Sequence, residues 1–151
     1  MPDADLRAVS DEDRRRYRKR FVLIRHGEGR SSVDRVVGGP KGCTGLSDAG
    51  RDQADRLRAR LERSGELRAD AVLVSVLPRA VETAQLVMRA LGGAELVTDC
   101  ELCEVHVGEA DGLSIEEARS ALWMARSLGD ATPGPVQKAS TNSAIVLPRR
   151  C

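Results

Sequence analysis

Apolar residues fall in short dense clusters separated by glycine-rich or charged stretches. Phe21 to Ile24 are four consecutive apolar residues, and such a run bounded by turn residues predicts a strand covered on both faces, as in a parallel sheet. Gly27 and Gly29 then open a loop, and Gly38, Gly39, Pro40, Gly42 and Gly45 punctuate the continuation too often for regular structure. A mobile loop is expected there. Ser47 suits a helix N-cap and Asp48 suits the positive end of the helix dipole. Ala54, Leu57 and Leu61 recur at helical spacing before Gly65 stops the segment.

The pattern then repeats. "AVLVSV", residues 71 to 76, predicts a second buried strand. Pro78 follows in the first turn of a helix whose stripe is Ala84, Val87, Met88 and Leu91, with Gly92 and Gly93 at its end. Strand, helix, strand, helix is a βαβ order, which needs a right-handed crossover and a parallel sheet. "AELVT" adds a third strand, and "SIEE" at 114 to 117 has the Ser and the third-position Glu of a capping box for a helix running through Leu128. After Gly129 the chain is irregular except for one apolar run, Ala144 to Leu147, closed by Pro148. The expected organisation is a charged arm over residues 1–20, an α/β domain over 21–128, and an irregular tail over 129–151 in place of a fuller C-terminal part.

Composition narrows the function classes. With 151 residues the chain has room for one core, and at 2% aromatics that core is aliphatic and base-stacking platforms are disfavoured. Lys plus Arg (24) nearly balances Asp plus Glu (23), so no global field draws the protein to nucleic acid or membrane. "RRRYRKR" reads as a solvated arm, with nucleic-acid contact as its minority reading. No apolar run reaches membrane-spanning length and the N-terminal stretch lacks a secretory core, so a cytoplasmic location and reduced thiols at Cys43, Cys100, Cys103 and Cys151 are expected.

Candidate chemistry gathers at two strand ends. In an open parallel sheet ligands sit beyond the carboxyl ends of the strands. The first strand delivers Arg25 and His26 there, and the second delivers Arg79 at the start of a helix. Two guanidiniums and an imidazole near a helix N-terminus suit an anion, and a phosphoryl group is the natural guest.

"LIRHGE", "GLSDAGRDQA", "SVLPRAVETA" and "CELCEVHVGEADGL" resemble, in the same order, the successive motifs of the histidine phosphatase superfamily, the phosphoglycerate-mutase-like phosphatases. The resemblance covers residues 21 to 118 and implies a three-layer α/β/α fold with a mostly parallel sheet, incomplete at the C-terminus. It implies His26 as the nucleophile that becomes phosphorylated, Arg25 and Arg79 as the grip on the phosphoryl oxygens, and Glu104 as the acid for the leaving oxygen. Ser32 stands where relatives have a phosphate-touching asparagine, and Ala110 and Asp111 replace a Trp-Glu pair of the pocket wall. No metal or cofactor is needed for such a transfer, which is a matter of positioning and charge.

One part of the pattern is missing. The family carries a second histidine in a Ser-His-Gly context on a later strand, and this chain has none; its only other histidine is His106. The expected activity is hydrolysis of a small phosphorylated substrate, impaired by that loss, with a silent phosphate-binding module as the alternative. An unpaired sheet edge and self-association are expected to follow. "CELC" with His106 offers too few ligands for a structural zinc site, and its cysteines read as structural thiols.

Overall fold

The computed structural model describes residues 21–103, 106–127 and 143–147. The N-terminal arm, Glu104 and the greater part of the tail, which carry several of the expectations above, lie outside the described residues. Strand β1 spans Val22–Arg25, β2 Ala71–Val74, β3 Glu95–Thr98 and β4 Ser143–Leu147. The α-helices are α1 over Arg30–Val33, α2 over Asp48–Ser64, α3 over Pro78–Val87 and α4 over Ile115–Ser127.

Local chemistry fixes the helix ends. The Ser47 side chain accepts from the Gly50 N–H to start α2, and Gly65 closes it in the left-handed region at φ 60°. Pro78 occupies the first turn of α3, where its missing N–H costs nothing. Ser114 and Glu117 exchange the two bonds of a capping box at α4: the Ser114 N–H donates to Glu117 Oε2 at 2.8 Å, and the Glu117 N–H donates to Ser114 Oγ at 3.1 Å. Those bonds from Ser114 hold the Glu117 carboxyl below the usual carboxylate range.

The sheet order is β1-β4-β2-β3. β2 and β3 are parallel, and β4 runs antiparallel to both of its neighbours. β1, β2 and β3 therefore share one direction, which gives the α/β class expected from the βαβ order and brings the carboxyl ends of β1 and β2 to the same side. The apolar run Ala144 to Leu147 lies within β4, at the centre of the sheet.

Val72 and Val74 of β2 are fully buried with Leu46, Leu61 and Leu91, in one cluster that also holds Ala54, Ala80, Ala84 and Val87 from α2 and α3. Each such large side chain contributes about 1.5–3 kcal/mol on burial. The opposite sides of the strands differ from expectation. Leu23 remains 59% exposed and Phe21 61% exposed, so β1 is covered on one face only among the described residues. A continuous apolar run reports β-propensity and one buried face, but not the presence of a second layer over the other.

The glycine-rich segment after β1 is also more ordered than its composition suggests. It contains α1, a bridge between Gly29 and Leu46, and another between Val36 and Ser114. The Val37 N–H donates to Leu113 O, and the Gly112 N–H donates back to Val37 O. Its partners come from distant parts of the chain, so no local signal announces them.

Candidate functional site

The site is built where β1 ends and α3 begins. Gly27 and Gly50 are in backbone contact: a Cβ on Gly27 would overlap Gly50 O, and one on Gly50 would overlap Glu28 O. The first turn of α2 therefore lies directly behind the His26–Glu28 backbone. Ser47 reinforces the junction, its N–H donating to Glu28 O at 2.9 Å and its hydroxyl to Glu28 Oε1 at 2.6 Å. Across the site, the Gly27 N–H donates to Thr83 Oγ1 at 3.1 Å and the Thr83 hydroxyl donates to Arg79 O at 2.8 Å.

His26 and Arg79 meet in the middle. His26 Nδ1 lies 2.6 Å from Gly27 O, and Arg79 Nε lies 3.1 Å from His26 Nε2. A carbonyl oxygen only accepts and an arginine Nε only donates. These two bonds therefore put the imidazole proton on Nδ1 and leave the lone pair on Nε2, directed at the guanidinium. That is the neutral tautomer in which a histidine can act as a nucleophile.

Arg79 is held from several directions. Its Nη1 donates to Gly38 O at 2.6 Å, and its backbone N–H, one of the unpaired donors of the first turn of α3, donates to Cys43 Sγ at 3.4 Å. Gly29 and Gly38 make room for it. A Cβ at Gly29 would come within 3.1 Å of Arg79 Cδ, and one at Gly38 within 3.3 Å of Arg79 Nη1 while overlapping Ser31 Oγ. The buried serine of α1 is thus Ser31, and Ser32 beside it is exposed.

Asp111 anchors the loop that supplies Gly38. Its carboxylate accepts from the Lys41 N–H at 2.7 Å and the Gly42 N–H at 2.8 Å. Burial pushes that carboxyl up, but the N–H groups of Lys41, Gly42 and Gly39 and the Lys41 charge outweigh it and hold the group below the usual range. The Asp111 carboxylate therefore sits in a cradle of backbone donors.

Of the residues singled out from sequence, the structure brings His26 and Arg79 into direct contact. Arg25 closes β1 at the same end and is exposed, with Ser143 opposite it in the β4 register. Ser32 lies on α1, facing solvent. Glu104 lies outside the described residues. His106 is exposed, its Nε2 lying 3.6 Å from Cys100 Sγ. Thr83, Ser31 and the carbonyl of Gly38 were not anticipated. Thr83 sits inside the quoted "RAVETA", but a mid-helix threonine carries no local sign that its hydroxyl reaches another segment.

No group of three or more His, Cys, Asp or Glu side chains suited to a metal ion occurs among the described residues. Nor does any helix there have the length and apolarity to cross a membrane.

A sequence profile of the histidine phosphatase superfamily (branch 1) matches residues 21–150. Phosphoglycerate mutase-like protein 4 of Arabidopsis thaliana is 40% identical over 98 residues, which is 65% of this chain and 41% of that protein. The 2,3-bisphosphoglycerate-dependent phosphoglycerate mutase of Azorhizobium caulinodans is 34% identical over 102 residues, 66% of this chain and 48% of the mutase. This chain thus spans about half the length of the curated relatives it matches. Among solved structures, Bacillus stearothermophilus YhfR superposes with a TM-score of 0.59 at 30% identity, covering 79% of this chain and 57% of YhfR. A mycobacterial glucosyl-3-phosphoglycerate phosphatase solved with VO3 superposes at 0.56 with 27% identity, covering 73% of this chain and 52% of the phosphatase. On the profile match, which takes in the ordered motifs from "LIRHGE" onward, this chain belongs to the histidine phosphatase superfamily.

Proposed function

We propose that the chain is a phosphomonoester hydrolase that works through a phosphohistidine at His26. The observation that carries this reading is the pair of bonds on the imidazole, Nδ1–H to Gly27 O and Arg79 Nε–H to Nε2. They leave the nucleophilic lone pair beside the cation that would neutralise an incoming phosphoryl group.

In the proposed cycle a phosphorylated small molecule displaces Arg79 Nε from Nε2 and draws the guanidinium onto its non-bridging oxygens, with Arg25 as the second clamp and Ser32 at the rim. Nε2 attacks phosphorus in line. The P–O bond to the leaving alcohol breaks as Glu104 gives that oxygen its proton. The Glu104 carboxylate then takes a proton from water, which attacks the phosphohistidine and releases inorganic phosphate with His26 restored. Hydrolysis is proposed over transfer back to the dephosphorylated product, since nothing in the sequence indicates a second pocket to retain it. The proposed setting is cytoplasmic.

A second reading rests on two observations. Arg79 occupies the Nε2 lone pair, and the chain has no Ser-His-Gly histidine to share the phosphoryl charge. In that case the site binds phosphate without turnover. Titration with orthovanadate and assay with an aryl phosphate separate the two. Vanadate binding with steady release of the phenol supports the enzyme, vanadate binding with no release supports the silent module, and neither signal rejects both.

Self-association is part of the same proposal, since β1 pairs on one side only among the described residues. It predicts a sedimentation coefficient that rises with concentration, and a concentration-independent monomer counts against it.

A further inference from the structure

Cys100 and Cys103 sit at the two ends of one short turn. Cys100–Leu102 is a single 3₁₀ turn, started by Asp99, whose side chain accepts from the Glu101 N–H at 2.9 Å. The Cys103 N–H closes it by donating to Cys100 O at 2.9 Å.

A turn closed from residue i to i+3 holds its end Cα atoms within about 7 Å, close to the ~4.4–6.8 Å that a disulfide requires. The two sulfurs are already in contact at 3.7 Å. Both are free thiols in the structure.

The two cysteines are also unequal. Cys100 is exposed, with His106 Nε2 at 3.6 Å from its sulfur. Cys103 is buried with Cys43 and Leu77, and its sulfur contacts Ser75 Oγ at 3.2 Å. An accessible thiol with a shielded one directly behind it is the arrangement of an attacking and a resolving cysteine.

We propose that Cys100 and Cys103 form a redox-active dithiol that is converted to an intramolecular disulfide by exchange with a low-molecular-weight disulfide. The Cys100 thiolate attacks one sulfur of the external disulfide, forming a mixed disulfide and releasing one thiolate. Cys103 then attacks Cys100 Sγ, forming the Cys100–Cys103 bond and displacing the second thiolate. The protein pair loses two electrons and the external disulfide gains them, and the two protons of the cysteine thiols end on the released thiols. This step is independent of the reaction proposed for His26.

The hydrogen bond that the Cys100 thiol donates to Cys103, followed by the charge of that sulfur, burial and the carboxylates of Glu101 and Asp99, holds the Cys100 thiol above its usual range. Attack is therefore slow near neutrality and accelerates in alkali. The same basicity makes Cys100 a poor leaving group, so the disulfide persists once formed.

The test uses the full chain incubated with oxidised glutathione, alkylated, cleaved with trypsin and weighed. Arg89 and Arg119 bound a single tryptic peptide, residues 90–119, that contains both cysteines, whereas Cys43 and Cys151 fall in other peptides. The expected product is that peptide lighter by a pair of hydrogens, unalkylated, and restored to two alkylation sites by dithiothreitol. The Cys103→Ser variant is expected to retain one glutathione on Cys100. Persistence of two alkylatable thiols in the wild-type peptide, stable glutathione adducts there, or pairing of either cysteine with Cys43 or Cys151 overturns the proposal.

Discussion

The backbone N–H of Gly27 is bonded to Thr83 Oγ1 across 56 residues of sequence, at 3.1 Å. Because the Thr83 hydroxyl in turn donates a hydrogen bond to Arg79 O, the peptide that follows His26 is tied to the helix that carries Arg79. The relative position of imidazole and guanidinium is thus set by buried main-chain and hydroxyl groups rather than by the two long side chains alone.

Thr83→Val keeps the shape and removes both bonds, leaving the buried Gly27 N–H without this acceptor. A loss of about 1–3 kcal/mol is expected, measured as a lower urea midpoint at unchanged slope. Thr83→Ser, which retains the hydroxyl, is expected to recover the larger part of it.

Gly27 and Gly50 pack backbone on backbone, with Cβ positions that fall on Gly50 O and Glu28 O. Neither oxygen can move aside as a flexible side chain could. Gly27→Ala and Gly50→Ala are each expected to cost about 1–3 kcal/mol, visible as a lower melting temperature. Gly65→Ala, where a Cβ meets nothing within 4 Å, is the control: its cost comes from the left-handed backbone alone.

Asp111 makes stability depend on acid. Its carboxyl is held below the usual range in the folded chain, burial opposing and the three backbone N–H groups prevailing. The contribution is therefore fully present above the unfolded value near ~3.9 and is lost as pH falls through the lower folded value. Asp111→Asn is expected to flatten that part of the acid-unfolding curve. It also loosens the loop that offers Gly38 O to Arg79, so vanadate affinity should fall while the fold persists. An acid limb identical to wild type contradicts this account of the loop.

The residues show where the sequence could be read and where it could not. Ser47, Gly65, Pro78 and the Ser114–Glu117 pair act within a few residues of themselves, and each does in the fold what its local chemistry predicts. The meeting of His26 and Arg79 follows from β1 and β2 sharing a direction, which the βαβ order implies. The order within the glycine-rich loop could not be anticipated, because Asp111, Leu113 and Arg79 impose it from far along the chain. The antiparallel sense of β4 was likewise hidden, since a short apolar run has no direction. The exposed side of Leu23 was hidden for a related reason, as the run gives no sign of what lies over the sheet.

The central claim is that Nε2 of His26 takes the phosphoryl group, and chemical quench of the full chain with a radiolabelled aryl phosphate tests it most directly. The account predicts a label that is labile in acid and stable in alkali, maps to His26 and disappears in His26→Ala. Release of phenol with no such label, or with undiminished rate in His26→Ala, contradicts it.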